Sequence, residues 1–228
     1  MKRILGMIGL IVCAAAARGA DVGELVKQLK SDDNEVRRAA AKALEEGGVG
    51  SKAAVPALIN ALKDRDTFVR RYAAQALGAI GPDAHAAVPA LTATLNDSRR
   101  EVQESAARAL GKLGPSGVET LVVIARDGSK DAAMRRQAID SLSNLGRAGR
   151  SAVPALTELL KESTSKGKKK AAPEDLRVAA ANALGSLATR NDKETIKILE
   201  ALTDKKAKTP RDLRQAANQS LRTIRKNK

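Results

Sequence analysis

Few side chains in this sequence are of the types that perform catalysis or bind metals. The chain has 228 residues but only one histidine, His85, and one cysteine, Cys13. A structural zinc site needs about four Cys or His ligands, so such a site is excluded. His85 stands beside Asp83 with no second histidine or glutamate at ligand spacing, and we interpret it as a solvated residue.

Sequence motifs for catalysis are also missing. The chain has no H-E-x-x-H metal motif and no G-x-x-x-x-G-K-[ST] phosphate loop, and no Ser-His-Asp set stands out. We therefore predict that the protein is not an enzyme and that it needs neither a cofactor nor a metal.

Lysine and arginine are the charged residues that this chain has in excess. They number 41 against 26 Asp and Glu, which gives a formal net charge of +15. The last third holds most of this excess, because residues 161–228 carry 18 basic and 8 acidic side chains, a net charge of +10. Residues 21–160 carry 20 and 18, a net charge of only +2. A basic groove along the whole chain is therefore not expected.

Two lysine groups in this last third are suited to binding anions. Their dense ammonium groups could contact phosphates, anionic lipid head groups or cell-wall polymers, and a solubilising loop is an equal alternative. No aromatic residue stands near the first group to stack on bases, as sequence-tolerant nucleic-acid binding usually requires. The groups are Lys166, Lys168, Lys169 and Lys170, and Lys205, Lys206 and Lys208.

The first twenty residues have the layout of a secretory signal peptide. A short basic start precedes an apolar run from Ile4 to Ala17. We predict cleavage near Ala17 or Ala20 and export to the periplasm or the exterior, with no stable membrane span in the mature chain. One alternative is a lipid anchor at Cys13, although Val12 stands where a small residue is expected. The other is an uncleaved anchor, although the run is shorter than the roughly 20 residues of a spanning helix.

A motif recurs six times after residue 20, at intervals of 33, 33, 32, 42 and 37 residues. Its apolar residues fall at offsets 0, 4, 7, 8 and 11, which form one stripe on an α-helix, here called the B helix. Gly-Pro follows the second and third copies and should end the helix. The copies start at Val36, Val69, Val102, Met134, Leu176 and Leu213.

A shorter helix, here called the A helix, is predicted before each B helix. Three copies begin it with V-P-A-L, and proline is tolerated in the first turn of a helix. An aspartate three residues before the stripe is expected to cap three of the B helices. These aspartates are Asp33, Asp66 and Asp131.

The A motif followed by V-R-x-x-A-A-x-A-L-G resembles the HEAT repeat, in its short bacterial form related to phycobilisome-lyase-type repeats. The resemblance covers residues 21–228. It implies an all-α fold, a right-handed α-solenoid of about six antiparallel helix pairs of the HEAT and armadillo type, with the B helices on the concave side. We expect one domain over 21–228, with lysine-rich insertions near 161–175 and 203–212.

Such a solenoid is typical of a scaffold that binds another protein, and the basic loops would steer an acidic partner. Two alternatives stay open: binding of nucleic acid or a cell-envelope polymer by the last third, and a bilin-lyase-like enzyme or accessory, which the resemblance alone suggests. Offsets 2 and 6 point away from the apolar stripe, so partner contacts are predicted there. These residues are Arg38, Lys42, Arg71, Gln75, Arg108 and Arg136.

Five copies carry an arginine at offset 1, which could form either a ligand-binding row or a structural ladder. We favour the ladder, with each arginine paired to an acidic residue of its own turn. The arginines are Arg37, Arg70, Arg135, Arg177 and Arg214, and the acidic residues are Asp33, Asp66, Asp131, Asp175 and Asp212.

Overall fold

The computed structural model describes residues 21–161 and 172–226. Over these ranges the chain forms α-helices joined by turns and short 3-10 segments, without a β-strand. A short A helix alternates with a longer B helix, so odd numbers below are A helices and even numbers are B helices. The helices are α1 Val22–Gln28, α2 Asn34–Gly47, α3 Val55–Ala61, α4 Thr67–Ile80, α5 Val88–Thr94, α6 Arg100–Lys112, α7 Val118–Arg126, α8 Ala132–Asn144, α9 Val153–Lys161, α10 Glu174–Leu187, α11 Lys193–Thr203 and α12 Arg211–Lys226.

The helices group into two compact units. The first unit ends at Ser116 and contains α1 to α6, and the second begins at Gly117 and contains α7 to α12. Each unit therefore holds three of the six A–B pairs, and the predicted succession of pairs is confirmed.

Aspartate side chains start the B helices as the sequence predicts. Asp33 accepts a hydrogen bond from the backbone N–H of Glu35 at 2.8 Å. Asp66 accepts from the N–H groups of Phe68 and Val69. Asp131 accepts from the third N–H of its helix, as an N-cap should. All three predicted caps are confirmed.

The B helices end where glycine allows the chain to turn. Gly81 follows α4 with a φ of 75°, in the region that favours glycine over other residues. The residues that follow, Gly81–Ala87, form a 3-10 segment with a kink at Ala84 and lead into α5. Pro89 lies in the first turn of α5, where its missing N–H costs no hydrogen bond.

Small residues let neighbouring B helices approach closely. A Cβ atom on Gly78 of α4 would lie only 3.0 Å from the Cα atom of Ala109 in α6. In the second unit, a Cβ atom on Gly185 of α10 would lie 3.1 Å from the Cα atom of Ser220 in α12. The core between the helices is aliphatic, with Leu, Ile, Val and Ala side chains fully buried. Such close packing makes the B-helix spacing sensitive to single methyl groups.

Two predicted segments lie outside the described residues: the signal peptide at 1–20 and most of the first lysine-rich insertion, residues 162–171. The second insertion corresponds to turns at residues 204–210 between α11 and α12. Among the helices of the described ranges, none is long and apolar enough to cross a membrane.

Candidate partner-binding site

Two arginines at offset 1 of the first unit, the buried Arg37 and the half-buried Arg70, hold adjacent repeats together. Arg37 donates from Nε and Nη2 to the carboxylate of Asp64, at 2.8 and 3.0 Å. Its Nη1 donates to the backbone oxygens of Ser31 and Asp32 in its own turn. The hydrogen bond that Arg37 donates to Asp64 raises the pKa of Arg37. This two-pronged geometry anchors the start of α2 to the turn of the following repeat.

Arg70 repeats this arrangement one copy later, with Asp97 at 2.7 and 3.0 Å. The prediction that these two arginines pair with the aspartates of their own turns is therefore wrong. The reason is that Asp33 and Asp66 accept hydrogen bonds from backbone N–H groups of the helices they start. The turn before each arginine therefore offers that arginine only backbone carbonyl oxygens. The carboxylate comes from the next repeat instead.

In the second unit the arginines at offset 1 do not continue this pattern, and two of the three donate to backbone oxygens. Arg135 donates from Nε to the carbonyl oxygen of Ala125 at 2.9 Å. Arg214 donates from Nη2 to the carbonyl oxygen of Ala207 at 2.9 Å. Burial lowers the pKa of Arg177, and its Nε has no hydrogen-bond partner in the described part of the chain.

The only two aromatic rings of the chain, Phe68 and Tyr72, lie one turn apart on α4. The guanidinium of Arg38, from α2, lies 4.7 Å from the centroid of the Phe68 ring. The guanidinium of Arg71 lies 5.1 Å from the Phe68 ring and 5.0 Å from the Tyr72 ring. We call these four residues the arginine–aromatic cluster. Phe68 is 45% exposed, so the cluster lies at the surface.

The charge of Arg38 is compensated within the first unit. It donates from Nε and Nη2 to the two oxygens of Asp66, at 2.9 and 2.5 Å, and from Nη1 to Glu35 at 2.7 Å. The pKa of Asp66 is lowered to about 2, mainly by the hydrogen bond from Arg38. Hydrogen bonds from the N–H groups at the start of α4 lower this pKa further, whereas burial raises it. Asp66 therefore joins α2 to α4 and caps α4 at the same time.

Arg71, unlike Arg38, is not paired with a carboxylate. It makes no ion pair with any described residue, and its Nε is buried without a hydrogen-bond partner there. Glu45 lies within electrostatic reach, but burial and the neighbouring Glu46 raise the pKa of Glu45 in spite of Lys112 and Arg71. A held guanidinium beside an exposed ring can bind an anion that carries an apolar group.

The structure brings together Arg38 and Arg71 of the six predicted partner-binding residues. Gln75 lies half-buried on α4, one turn after Arg71. The other three are each within 4 Å of a carboxylate on their own helix. These pairs are Lys42–Glu46 at 3.7 Å on α2, Arg108–Glu104 at 3.9 Å on α6 and Arg136–Asp140 at 3.8 Å on α8 of the second unit.

Phe68 and Tyr72 were missed by the sequence reasoning. Phe68 stands at offset −1 and Tyr72 at offset 3, outside the positions that define the apolar stripe. The signal that could have found them is their spacing of four residues, which places two side chains on one helical face.

The C-terminal end of the second unit is basic. Lys205, Lys206 and Lys208 are exposed in the turns before α12, and in the described ranges they form no ion pair. The other four predicted lysines, Lys166, Lys168, Lys169 and Lys170, lie outside the described residues. An open groove of about 450 Å³ follows the exposed face of α12. Its lining residues are Arg211, Arg214, Gln215, Asn218, Gln219 and Arg222.

Two residues of this groove stand at positions that are small or apolar in most of the other B helices. Asn218 stands at offset 5 of the last copy and is exposed. Arg222 stands at offset 9, where three other copies have glycine: Gly78, Gly111 and Gly185. At offset 5 the other five copies have buried aliphatic residues, which are Ala41, Ala74, Ala107, Ile139 and Ala181.

The side chains between residues 21 and 161 and between 172 and 226 include no group of three or more His, Cys, Asp or Glu that could hold a metal ion.

Comparison with protein-family models finds HEAT repeats at residues 22–111 and 88–174. Comparison with curated protein sequences finds no match. Among solved structures, an engineered protein is 26% identical with a TM-score of 0.56, and the match covers 90% of this chain and 97% of that one.

Two further solved structures are similar in fold alone. An archaeal HEAT-like repeats protein from Thermococcus onnurineus is 16% identical with a TM-score of 0.58, over 94% of this chain and 91% of that one. A designed armadillo repeat protein in complex with the peptide (KR)4 is 17% identical with a TM-score of 0.59, over 90% and 99%. These matches confirm the predicted all-α class of the HEAT and armadillo type.

Proposed function

Since the chain belongs to the HEAT-repeat family, we propose that it is a non-enzymatic scaffold that binds another protein through the B helices of its first unit. The arginine–aromatic cluster is the observation that carries this proposal. Arginine and tyrosine are over-represented among the residues that dominate protein–protein binding energies. The chain has only two aromatic side chains, and both lie beside arginines on this one B-helix surface.

The chemistry of the surface supports a protein as the ligand. Phe68 offers an exposed apolar ring, Arg71 offers a guanidinium without an ion pair in the described ranges, and Gln75 adds an amide one turn further along α4. Interface centres combine such aromatic and arginine anchors with a polar rim. The same surface has no His or Cys, and the chain lacks the sequence motifs of the common hydrolases and nucleotide-binding enzymes.

An affinity capture experiment tests this proposal. The full chain would be immobilised as wild type, Phe68→Ala, Arg71→Ala and, as a matched control, Arg126→Ala at the exposed end of α7. We expect one or more proteins to be retained by the wild type and the control and lost by both cluster variants. Retention of the same proteins by all four forms would contradict the proposal, as would turnover of a substrate by the purified chain.

Export is part of the same proposal and rests on the sequence of residues 1–20. N-terminal sequencing of protein recovered from outside the cytoplasm should show a start after Ala17 or Ala20. An intact Met1 in exported protein would support the uncleaved anchor, and a lipid on Cys13 would support the lipoprotein alternative.

Binding of an anionic polymer by the second unit is a second candidate function. The exposed Lys205, Lys206 and Lys208 and the arginine-lined groove on α12 favour it. Elution from immobilised heparin should then require less salt after Lys205, Lys206 and Lys208 are all replaced by Gln, because fewer counterions are released on binding.

A control of equal charge replaces three exposed lysines of the first unit by Gln: Lys27, Lys30 and Lys63. Equal elution of the two triple variants would show that net charge alone determines retention, and the second candidate would be abandoned. A further variant that replaces Lys166, Lys168, Lys169 and Lys170 by Gln measures the share of the first lysine group.

A further inference from the structure

Arg71 differs from the other arginines of the first-unit B helices in having no acceptor. Arg37 and Arg70 each donate to a carboxylate of the next turn, and Arg38 donates to Asp66. On α6, Arg108 lies 3.9 Å from Glu104. Arg71 alone of these five has neither an ion pair nor a hydrogen bond within the described ranges, and its Nε is already removed from water.

The two rings beside Arg71 hold its guanidinium in position. Its central carbon lies 5.1 Å from the Phe68 centroid and 5.0 Å from the Tyr72 centroid. A guanidinium held over aromatic rings keeps N–H groups that can still donate hydrogen bonds to a ligand. The flat, two-donor edge of a guanidinium matches the two oxygens of a carboxylate.

One guanidinium of the cluster lacks a carboxylate acceptor. Arg38, which also contacts the Phe68 ring, donates to Asp66 and Glu35, whereas Arg71 has no ion pair among the described residues and interacts with Glu45 only electrostatically. Phe68 stands next to this charge with nearly half of its surface exposed. A ligand that satisfies both has a carboxylate and an apolar side chain close together.

We infer that Arg71 is the receptor for an aspartate or glutamate of a partner peptide whose adjacent apolar side chain packs on Phe68. This inference rests on the proposed scaffold function and gives the chemistry of its partner. A polymer of phosphates would leave the Phe68 ring without an apolar contact, so a peptide fits the cluster better.

Tyr72 allows the inference to be tested without knowing the partner. The chain has one tyrosine and no tryptophan, so tyrosine fluorescence reports on this cluster alone. The full chain would be titrated with capped tetrapeptides that lack aromatic residues: Ala-Glu-Leu-Ala, Ala-Gln-Leu-Ala and Ala-Glu-Ser-Ala. We expect a saturable change in Tyr72 fluorescence with the first peptide and an apparent Kd at least tenfold weaker with the other two.

Arg71→Lys should weaken binding of the Glu-Leu peptide by about tenfold, because lysine keeps the charge but loses the flat pair of donors. Arg126→Lys at the exposed end of α7 is the matched control and should change nothing, and circular dichroism would verify that both variants are folded. Equal affinity for the Glu and Gln peptides, an unchanged Kd in Arg71→Lys, or no response to any peptide would overturn the inference. So would binding of a phosphoserine-Leu peptide without binding of the Glu-Leu peptide.

The capture experiment separates this inference from the proposed function. If Phe68→Ala loses the captured protein while the peptides give no response, the scaffold function stands and only the carboxylate receptor fails. If capture is insensitive to every cluster variant, the proposed function itself fails.

Discussion

Asp66 has two structural roles, and replacing it with asparagine separates them. The asparagine side chain can still accept the N–H groups of Phe68 and Val69, because asparagine is as good an N-cap as aspartate. It cannot carry the negative charge that pairs with Arg38 across α2 and α4. Asp66→Asn therefore removes the ion pair between repeats and leaves the helix start in place.

The size of the effect follows from the pKa of Asp66. The carboxyl group has a pKa of about 2 in the folded protein against an ordinary value of 3.8. At 1.36 kcal/mol for each pKa unit, this difference corresponds to about 2.5 kcal/mol of folding free energy at neutral pH. The carboxylate is only 12% exposed, so solvent screens little of it.

The pH dependence has a definite sign. Because the folded pKa lies below the unfolded one, the stabilisation is complete above about pH 4 and is lost as the pH falls from 4 to 2. Wild type should lose most of this contribution of about 2.5 kcal/mol in this interval through Asp66, and Asp66→Asn should lack this part of the loss. The two proteins should thus approach equal stability near pH 2.

Urea denaturation followed by Tyr72 fluorescence is the assay, because this tyrosine reports on the first unit. Asp66→Ala is the companion variant and should cost about 1 kcal/mol more than Asp66→Asn at pH 7, since it also removes the cap. An ordinary surface substitution changes stability by about 0.5 kcal/mol or less. If wild type and Asp66→Asn differ by no more than that at pH 7, the reasoning is refuted. Parallel stability curves from pH 7 to pH 2 would refute it too.

Two predictions concern packing in the second unit, and urea denaturation followed by far-ultraviolet circular dichroism measures both. Gly185→Ala should destabilise the protein by about 1–3 kcal/mol, because the new Cβ would lie 2.9 Å from Oγ of Ser220 and 3.1 Å from Cα of Ser220. In the control Gly128→Ala, the new Cβ meets no atom within 4 Å. An equal effect of the two changes would contradict the packing argument. Thr157→Val should cost about 1–3 kcal/mol by leaving the buried Thr195 hydroxyl without its 2.8 Å partner. Adding Thr195→Val should then cost little more, and a simple sum of two large single effects would show that the hydroxyls do not act as a pair.

The helix pairs could be predicted because their signals are local. The stripe of α4 lies within twelve residues, from Val69 to Ile80, and Asp66 stands directly before it. A helical period and a cap are properties of consecutive residues, so each copy indicates its own structure. Six copies with the same pattern then predict one fold.

The partner of Arg37 could not be predicted in the same way. Its carboxylate, on Asp64, is 27 residues away and belongs to the next repeat, whereas Asp33 is only four residues away. Which aspartate the guanidinium reaches depends on how far one repeat is displaced from the next. That displacement is determined by close contacts such as the one between Gly78 and Ala109, which a period along the sequence does not contain.

The candidate site was predicted in part for a related reason. Offset 2 correctly places Arg38 and Arg71 on the surface, because it follows from the helical period alone. The approach of Arg38 to the Phe68 ring depends on two different repeats, and so does its bond to Asp66. The absence of an ion pair at Arg71 can be recognised only when the positions of all neighbouring acceptors in the described ranges are known.

The face of α12 determines what can be built onto this end of the second unit. A further helix packed on α12 in the way that α6 packs on α4 would need small apolar residues at the positions of Asn218 and Arg222. As the sequence stands, this face suits solvent or a polar ligand. For protein engineering, this means that lengthening the array by one copied repeat requires Asn218→Ala and Arg222→Gly in advance. A graft without them would bury an amide and a guanidinium with no acceptors, and the added repeat should stay undocked.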